Sequence, residues 1–304
     1  NNLTSDATFY VKVYVKDSNN RESSVSATSI ATKNPTLLAD YVKSLYVSNN
    51  GENRIYYHDA TLTNGAGDNS YRYAGARNQV NNYVCFGSNV TPCPTDNLYR
   101  IIGVFGDKVK LIRNKSIGNK PWDSNNSNTW STSSLNKYLN NEFINTFDAG
   151  TDWAAKIAET TWKIGGNTYS NIQNKPAKTA YQNEIVNPST NATDNAKVGL
   201  MYVSDYGFAA APSAWTSILF NYDDEAIKKV NWMLLGDTEW TISRAADNST
   251  VAFGVYAGGF VSGWSNGSSH FVTNVFRVRP VFYLTSSVTY VEGDGTQNLP
   301  IRIN

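Results

Sequence analysis

Residues 98–113 read LYRIIGVFGDKVKLIR, two runs of aromatic, β-branched and aliphatic residues on either side of Gly106-Asp107. Runs of this kind around a Gly-Asp pair are the pattern of an antiparallel hairpin. The neighbouring text repeats it in shorter form. YRYAGA (71–76), NNYVCFG (81–87) and WKIGGNTYS (162–170) read as strands punctuated by Asn and Gly turns, and 288–304 as two short strands around a Gly-rich turn. Helical periodicity is confined to a few places. Over 131–147, Leu135, Leu139, Phe143 and Phe147 fall on one stripe behind capping serines. Over 37–46, Leu37, Leu38, Tyr41, Val42 and Leu45 do the same, with Thr36 as the expected N-cap, and 223–231 is a shorter candidate. The Asn-rich stretch 165–197 has no periodicity and is expected to be a long surface loop. The fold class is therefore α+β, rich in short antiparallel strands with two or more helices.

The first residues form a separate pattern. In ATFYVKVYVK (7–16), Phe9, Val11, Val13 and Val15 alternate with Tyr10, Lys12, Tyr14 and Lys16. That is a half-buried strand. DSNNRES supplies a turn and SVSATSIATK a second strand. The pair is expected to be the last hairpin of an immunoglobulin-like or fibronectin-type sandwich over 1–34. A linker helix follows over 35–49, then a main domain over 50–304.

Composition narrows the function classes. The chain has 304 residues and a net charge of +1, so no long-range field recruits nucleic acid. No apolar run reaches the roughly 18–20 residues needed to span a bilayer, so no membrane insertion is expected. Charged residues make up 17%, below the roughly 25% usual for soluble proteins. Their place is taken by neutral polar and aromatic residues, as in secreted β-rich binders. Cys85 and Cys93 bracket a loop containing Gly87 and Pro92. An extracellular disulfide fits that spacing, and two free thiols in a reducing compartment are the alternative.

The window 245–276, AADNSTVAFGVYAGGFVSGWSNGSSHFVTNVF, contains no Lys, Arg, Glu, Gln, Met, Leu, Ile, Cys or Pro, and Asp247 is its only fixed charge. Ser, Gly, Asn and aromatics supply adaptable hydrogen bonding and rigid contact area, the chemistry of a paratope. The window lies between EWTISR (239–244) and FRVRPVFYL (276–284), which read as scaffold strands. Period-two counting puts Phe253, Val255, Ala257, Gly259 and Val261 inward, and Tyr256, Phe260, Ser262 and Trp264 outward. Asp247, Asn248 and Thr250 precede that row, and Asn266, Ser268, His270, Phe271 and Thr273 follow it. Those twelve residues, the outward row with its flanking loops, are the candidate ligand-binding set. Arg277 and Arg279 are expected to serve as scaffold by bonding loop carbonyls, with anion binding by one of them as the alternative.

Several phrases together resemble a known family. They are YRYAGARNQVNNYVCFG (71–87), NLYRIIGVFGDKVKLI (97–112), Trp122 followed by NTWSTSSLNKYLN (128–140), KVGLMYVSDYGFAA (197–210), EWTISR, VRPVFYL (278–284) and GDGTQNLPIRI (293–303). In this order they resemble a bacterial surface-protein domain with a C-type-lectin-like fold, common in Gram-positive gut bacteria. The last third is similar to the variable proteins of diversity-generating retroelements. The resemblance implies a ligand face whose codons are rewritten at adenine. Asparagine codons so treated yield Ser, Gly, Ala, Val, Thr, Asp, His, Tyr and Phe, but not Lys, Glu, Gln or Met, which matches the window apart from Trp264. An ordinary Ser/Gly/Asn-rich lectin loop would have a similar composition.

Catalysis is not expected. Oxidases of similar fold use paired cysteines or a histidine cluster in the C-terminal part, whereas here no cysteine follows Cys93 and His270 is the one late histidine. Glycosidase chemistry needs two placed carboxylates. Asp223-Asp224-Glu225 and Asp237/Glu239 are candidates, but such clusters usually cap helices or face solvent. Calcium-dependent sugar lectins carry a Glu-Pro-Asn or Gln-Pro-Asp tripeptide, and neither occurs. No cofactor is implied. Asp294 is the candidate ligand for a structural calcium ion, and one or two acids fall short of a site. The expected protein is a non-catalytic adhesin or receptor-like binder on the surface of a bacterium. Its expected partner is a protein on another cell, phage or host surface; a glycan-binding lectin or a structural stalk or pilus module is the alternative.

Overall fold

The computed structural model describes residues 8–23, 26–31, 34–147, 152–265, 268–269 and 271–304. In the strands Thr8–Val13, Ser26–Ala31, Trp264–Ser265 and Ser268–Ser269 it describes the backbone. The chain divides into two compact units, residues 1–36 and 37–304.

In the first unit, Thr8–Val13 and Ser26–Ala31 pair antiparallel, with Thr8 opposite Ala31 and Val13 opposite Ser26. Asp17 organises the connection. Its Oδ1 accepts from the backbone N–H groups of Asn19 and Arg21 at 2.8 and 2.9 Å, the local turn chemistry for which Asp is favoured.

The second unit is mixed α+β, with mostly antiparallel sheets and short helices. The hairpin read at 98–113 lies inside a seven-stranded sheet, as Leu98–Phe105 and Lys108–Arg113 with Phe105 opposite Lys108. Val281–Tyr283 pairs with one arm, and Ser70–Tyr73 and Tyr83–Cys85 with the other. Leu98 to Val104 are buried without interruption, because both faces of this strand are covered. Ile55–His58 is an edge strand. There the Asn49 side chain accepts from Tyr57 N–H at 2.9 Å and donates to Tyr57 O at 3.2 Å, standing in for a missing strand and blunting the edge.

A five-stranded sheet positions the candidate face. Its order is Val261–Ser262, Ala252–Val255, Glu239–Arg244, Val275–Arg277 and Asn119–Pro121. The central strand is buried through its first five residues. Tryptophans pin this sheet internally and tie the chain before it to the seven-stranded sheet. The indole N–H of Trp240 donates to Lys120 O and that of Trp122 to Thr241 O, both at 3.0 Å, while Trp232 donates to Tyr73 O at 2.8 Å. All three rings are fully buried, so much of the high aromatic content serves the core, with its polar edge satisfied.

The 131–147 segment is one helical run of changing pitch. Trp130–Thr132 is a 3₁₀ turn, Ser134–Tyr138 is α-helical, Leu139–Phe143 forms a π-turn, and Ile144–Phe147 ends as 3₁₀. Ser133 caps it by accepting from Asn136 N–H at 3.1 Å, and Leu135, Leu139, Phe143 and Phe147 are all buried. The earlier helix, Leu38–Ser44, belongs to the second unit and buries Leu38, Ala39 and Val42. It begins after Leu37, without a side-chain cap and not with Thr36.

The segment 165–197 is not the surface loop its composition implies. It holds the helices Tyr169–Ile172 and Ala177–Tyr181, a π-turn Gln182–Val186 and the strand Thr193–Ala196. Apart from Ile172 its buried members are small or polar, among them Ala177, Ala180, Asn167, Gln173 and Glu184, so no apolar stripe marks it. Cys85 and Cys93 form a disulfide, with Cα atoms 5.9 Å apart. Arg302 closes the loop they define by donating to Ser88 O at 3.1 Å and Val90 O at 2.7 Å.

Candidate functional site

The strand Ala252–Val255 carries the candidate face at both of its ends. Its four residues are buried, and at about 3.3 Å per residue they separate two clusters by roughly 10 Å.

At one end, residues 256–259 turn the chain. Gly259 N–H bonds Tyr256 O at 2.8 Å and Tyr256 N–H bonds Phe260 O at 2.9 Å. Gly259 has φ of 103°, and a Cβ there would lie 2.8 Å from Tyr222 O, so glycine is required. Tyr206 fixes the turn by donating from its hydroxyl to Gly259 O at 2.7 Å. Tyr256 and Phe260 thus face each other across the hairpin mouth. Their rings stack at 4.4 Å with 10° between planes, and Phe220 meets Phe260 edge-on at 5.6 Å. Tyr256 and Phe260 are half-buried, and Phe220 is 39% exposed.

At the other end lie the loop 245–251 and the return strand. Asp247 is exposed, and its carboxylate accepts from Tyr169 N–H at 3.2 Å. Asn248 Oδ1 accepts from the N–H and hydroxyl of Thr250 at 3.0 and 2.8 Å, so it shapes the loop from within. Val251 bridges to Phe271, which is 42% exposed, and Thr273 is exposed. Beneath this loop the buried Asn128 amide reaches three carbonyls, those of Ala245, Asn248 and Val251, at 2.7, 2.8 and 2.8 Å.

The alternating count fails at two positions. Ser262, expected outward, is fully buried. Gln173 covers it. Gln173 Oε1 accepts from Gly263 N–H at 2.9 Å and lies 3.4 Å from the Ser262 hydroxyl. Ala257, expected inward, is exposed because it sits in the turn and not on a strand. Phe253, Val255 and Val261 are fully buried, as expected. Asn266, His270 and the side chains of Trp264 and Ser268 lie outside the described residues; the backbone pairs Trp264 with Ser269 and Ser265 with Ser268.

Four supports have no signature in the sequence: Asn128, Gln173, Tyr206 and Phe220. Each acts from a distant stretch of chain. Asn128 lies within a quoted phrase, but nothing in its spacing foretells three carbonyl partners.

Four of the five candidate acids, Glu239, Asp237, Asp224 and Glu225, hold structural partners. Arg279 grips Glu239 through Nε at 2.7 Å and a terminal nitrogen at 2.6 Å, and also bonds Met233 O. Both side chains are almost wholly buried, so Arg279 is scaffold held by a carboxylate as well as a carbonyl. Asp237 pairs with Arg277 at 3.2 Å, Asp224 caps the helix Glu225–Lys229, and Glu225 pairs with Lys228 at 2.7 Å. Asp294 closes a turn by accepting from Thr296 N–H at 2.9 Å. His58 is buried, with Nδ1 accepting from Ala66 N–H at 3.1 Å. Burial and the nearby Arg72 charge hold its pKa well below the usual histidine range.

Residues 106–286, more than half of the chain, match a family described as a domain of unknown function, DUF6273. The chain belongs to the DUF6273 family. The DUF6273 match contains the turn 256–259, the loop 245–251 and all four of their supports, while the Cys85–Cys93 disulfide and Arg302 fall outside it. No curated protein and no solved structure matches the chain.

Proposed function

We propose that the second unit is a non-catalytic ligand-binding domain of C-type-lectin-like fold, displayed at a bacterial cell surface, and that it binds protein ligands through residues of 247–273. The observation that carries this reading is the Tyr256–Phe260 stack with Phe220 beside it. Three aromatic rings stay partly exposed at the tip of a hairpin whose inward residues are fully buried. Grouped, rigid aromatics of this kind supply most of the energy in protein interfaces. The second cluster, Asp247, Thr250, Phe271 and Thr273, adds adaptable polar contacts on a loop held from below by Asn128. The disulfide supports an oxidising, extracellular setting. Among the described residues, no helix is long and apolar enough to cross a membrane.

The same division between exposed and buried positions supports a face diversified by a retroelement. Exposed positions tolerate exchange, whereas Phe253, Val255, Val261, Gly259 and Ser262 do not. On this reading the hairpin of the first unit is of immunoglobulin-like type.

Photo-crosslinking tests the proposal. A benzophenone residue at Tyr256 or Phe271 should capture a protein from a bacterial or host surface preparation, while the same residue at exposed Lys163 should not. Equal capture from all three positions, or capture from none, contradicts it.

A further inference from the structure

A second surface of the 37–304 unit has a different chemistry. A cleft of about 650 Å³ is lined by Arg77, Asn78, Asn81, Tyr83, Asn114 and Lys115, among others. That volume is in the range of small-molecule sites, roughly 300–1,000 Å³. Three features distinguish it from an incidental groove.

The first is uncompensated positive charge. Among the described residues neither Arg77 nor Lys115 has an ion-pair partner. Arg77 is held in place by donating to Leu234 O at 2.7 Å. Behind it lies Arg100, buried, whose partners are neutral: Asn82 Oδ1 at 2.6 Å and Val80 O at 2.9 Å. Burial, opposed by Tyr83 and reinforced by the charges of Arg77 and Arg279, lowers the Arg100 pKa to about 9. A cluster of cations with too few acids is an incomplete electrostatic arrangement that an anion completes.

The second is an unmet acceptor. Asn114 Oδ1 is buried in the floor of the cleft region and has no hydrogen-bond partner among the described residues, an unfavourable state for an acceptor. Amide side chains recur around it at Asn78 and Asn81. They offer both donors and acceptors, as hydroxyl-rich ligands require.

The third is a fixed aromatic. Tyr83 lines the cleft, its backbone N–H held by Gly295 O at 2.8 Å and its ring 4.3 Å from the Arg100 guanidinium. The ring is only 6% exposed, so Tyr83 forms a rigid wall of the cleft.

We propose that this cleft binds a carboxylated saccharide, with Arg77 and Lys115 on the carboxylate and the exposed amides of Asn78 and Asn81 on ring hydroxyls. The site lies outside the 247–273 face and does not depend on what that face binds. A simple inorganic anion would use the cations but would leave the amides idle.

Titration calorimetry of the 304-residue chain with 3′-sialyllactose and trigalacturonic acid tests the assignment. Lactose serves as the neutral control and acetate as the charge-only control. At least one acidic sugar should bind, with lactose and acetate each at least tenfold weaker. Lys115→Gln, at an exposed position without an ion-pair partner, should weaken binding several-fold with an unchanged melting temperature. Arg77→Gln should weaken it at least tenfold. Failure of both acidic sugars to bind overturns the proposal, and so does acetate binding as tightly as the sugars. Wild-type affinity in Lys115→Gln and Arg77→Gln would also overturn it.

Discussion

Tyr256 and Phe260 stack ring on ring across the mouth of one hairpin, 4.4 Å apart and 10° from parallel. They are four residues apart in sequence, yet they meet because the turn between them brings Tyr256 N–H to Phe260 O. The turn itself is fastened from the side, by Tyr206. The exposed rings can therefore be exchanged without unfastening what holds them.

Replacing either ring should separate binding from stability. Tyr256→Ala or Phe260→Ala loses one stacked aromatic contact, worth about 0.5–1.5 kcal/mol beyond area burial. Denaturant titration should show a loss of about 1–2 kcal/mol for either, with secondary structure unchanged by circular dichroism. Photo-crosslinking from Phe271 in the same variants should fall sharply if the two clusters serve one partner.

Ser262 should behave in the opposite way. It is fully buried under Gln173, so Ser262→Tyr overpacks a closed site and should cost about 1–3 kcal/mol. Thr273→Tyr, at an exposed position, should cost less than about 0.5 kcal/mol. Equal losses would contradict the burial that separates the two positions.

Asn128 should be indispensable to the second cluster. Asn128→Ala strips a donor from three buried or half-buried carbonyls. Asn248 O and Val251 O keep backbone donors, Val251 N–H at 3.4 Å and Ala245 N–H at 3.1 Å, so the loss falls chiefly on Ala245 O and costs about 1–3 kcal/mol when water cannot replace the donor. Hydrogen exchange should quicken over 245–251 while protection over Glu239–Arg244 persists.

Glu184 should give the protein a pH-dependent stability. Its carboxyl accepts from Ser204 N–H at 2.7 Å and meets the Ser243 hydroxyl at 2.5 Å. Burial nonetheless pushes its pKa up to about 7, with Asp205 adding to the effect. A raised carboxyl pKa means that the folded state holds the proton more tightly. Its contribution is therefore complete below about pH 4.5 and is lost as pH rises through about 7. Glu184→Gln reproduces the protonated form. Its stability relative to wild type should rise by about 3 kcal/mol between pH 4.5 and 8. A difference flat with pH would show that Glu184 titrates normally.

Much of this fold was legible in the sequence where local pattern and burial agree. The 98–113 hairpin declares itself through Gly106-Asp107, and the 131–147 helix through Leu135, Leu139, Phe143 and Phe147. The cysteine pair follows from spacing and turn residues. The segment 165–197 was not legible, because Ala177, Ala180, Asn167 and Gln173 fill their places without apolar periodicity. On the candidate face, period-two counting placed Phe253, Val255 and Val261 correctly because they lie on true strands. It misplaced Ala257 because a turn interrupts the count. It misplaced Ser262 because its cover, Gln173, comes from 89 residues earlier. A contact of that range leaves no trace in a local window.

In the reading proposed for 245–276, partly exposed residues vary on a constant scaffold, and deep sequencing of this coding region across a clonal bacterial population checks it. Substitutions should concentrate at Asp247, Thr250, Tyr256, Phe260, Phe271 and Thr273, with Phe253, Val255, Gly259, Val261 and Ser262 constant. An invariant region, or substitutions scattered equally over the exposed and buried positions, would overturn that reading.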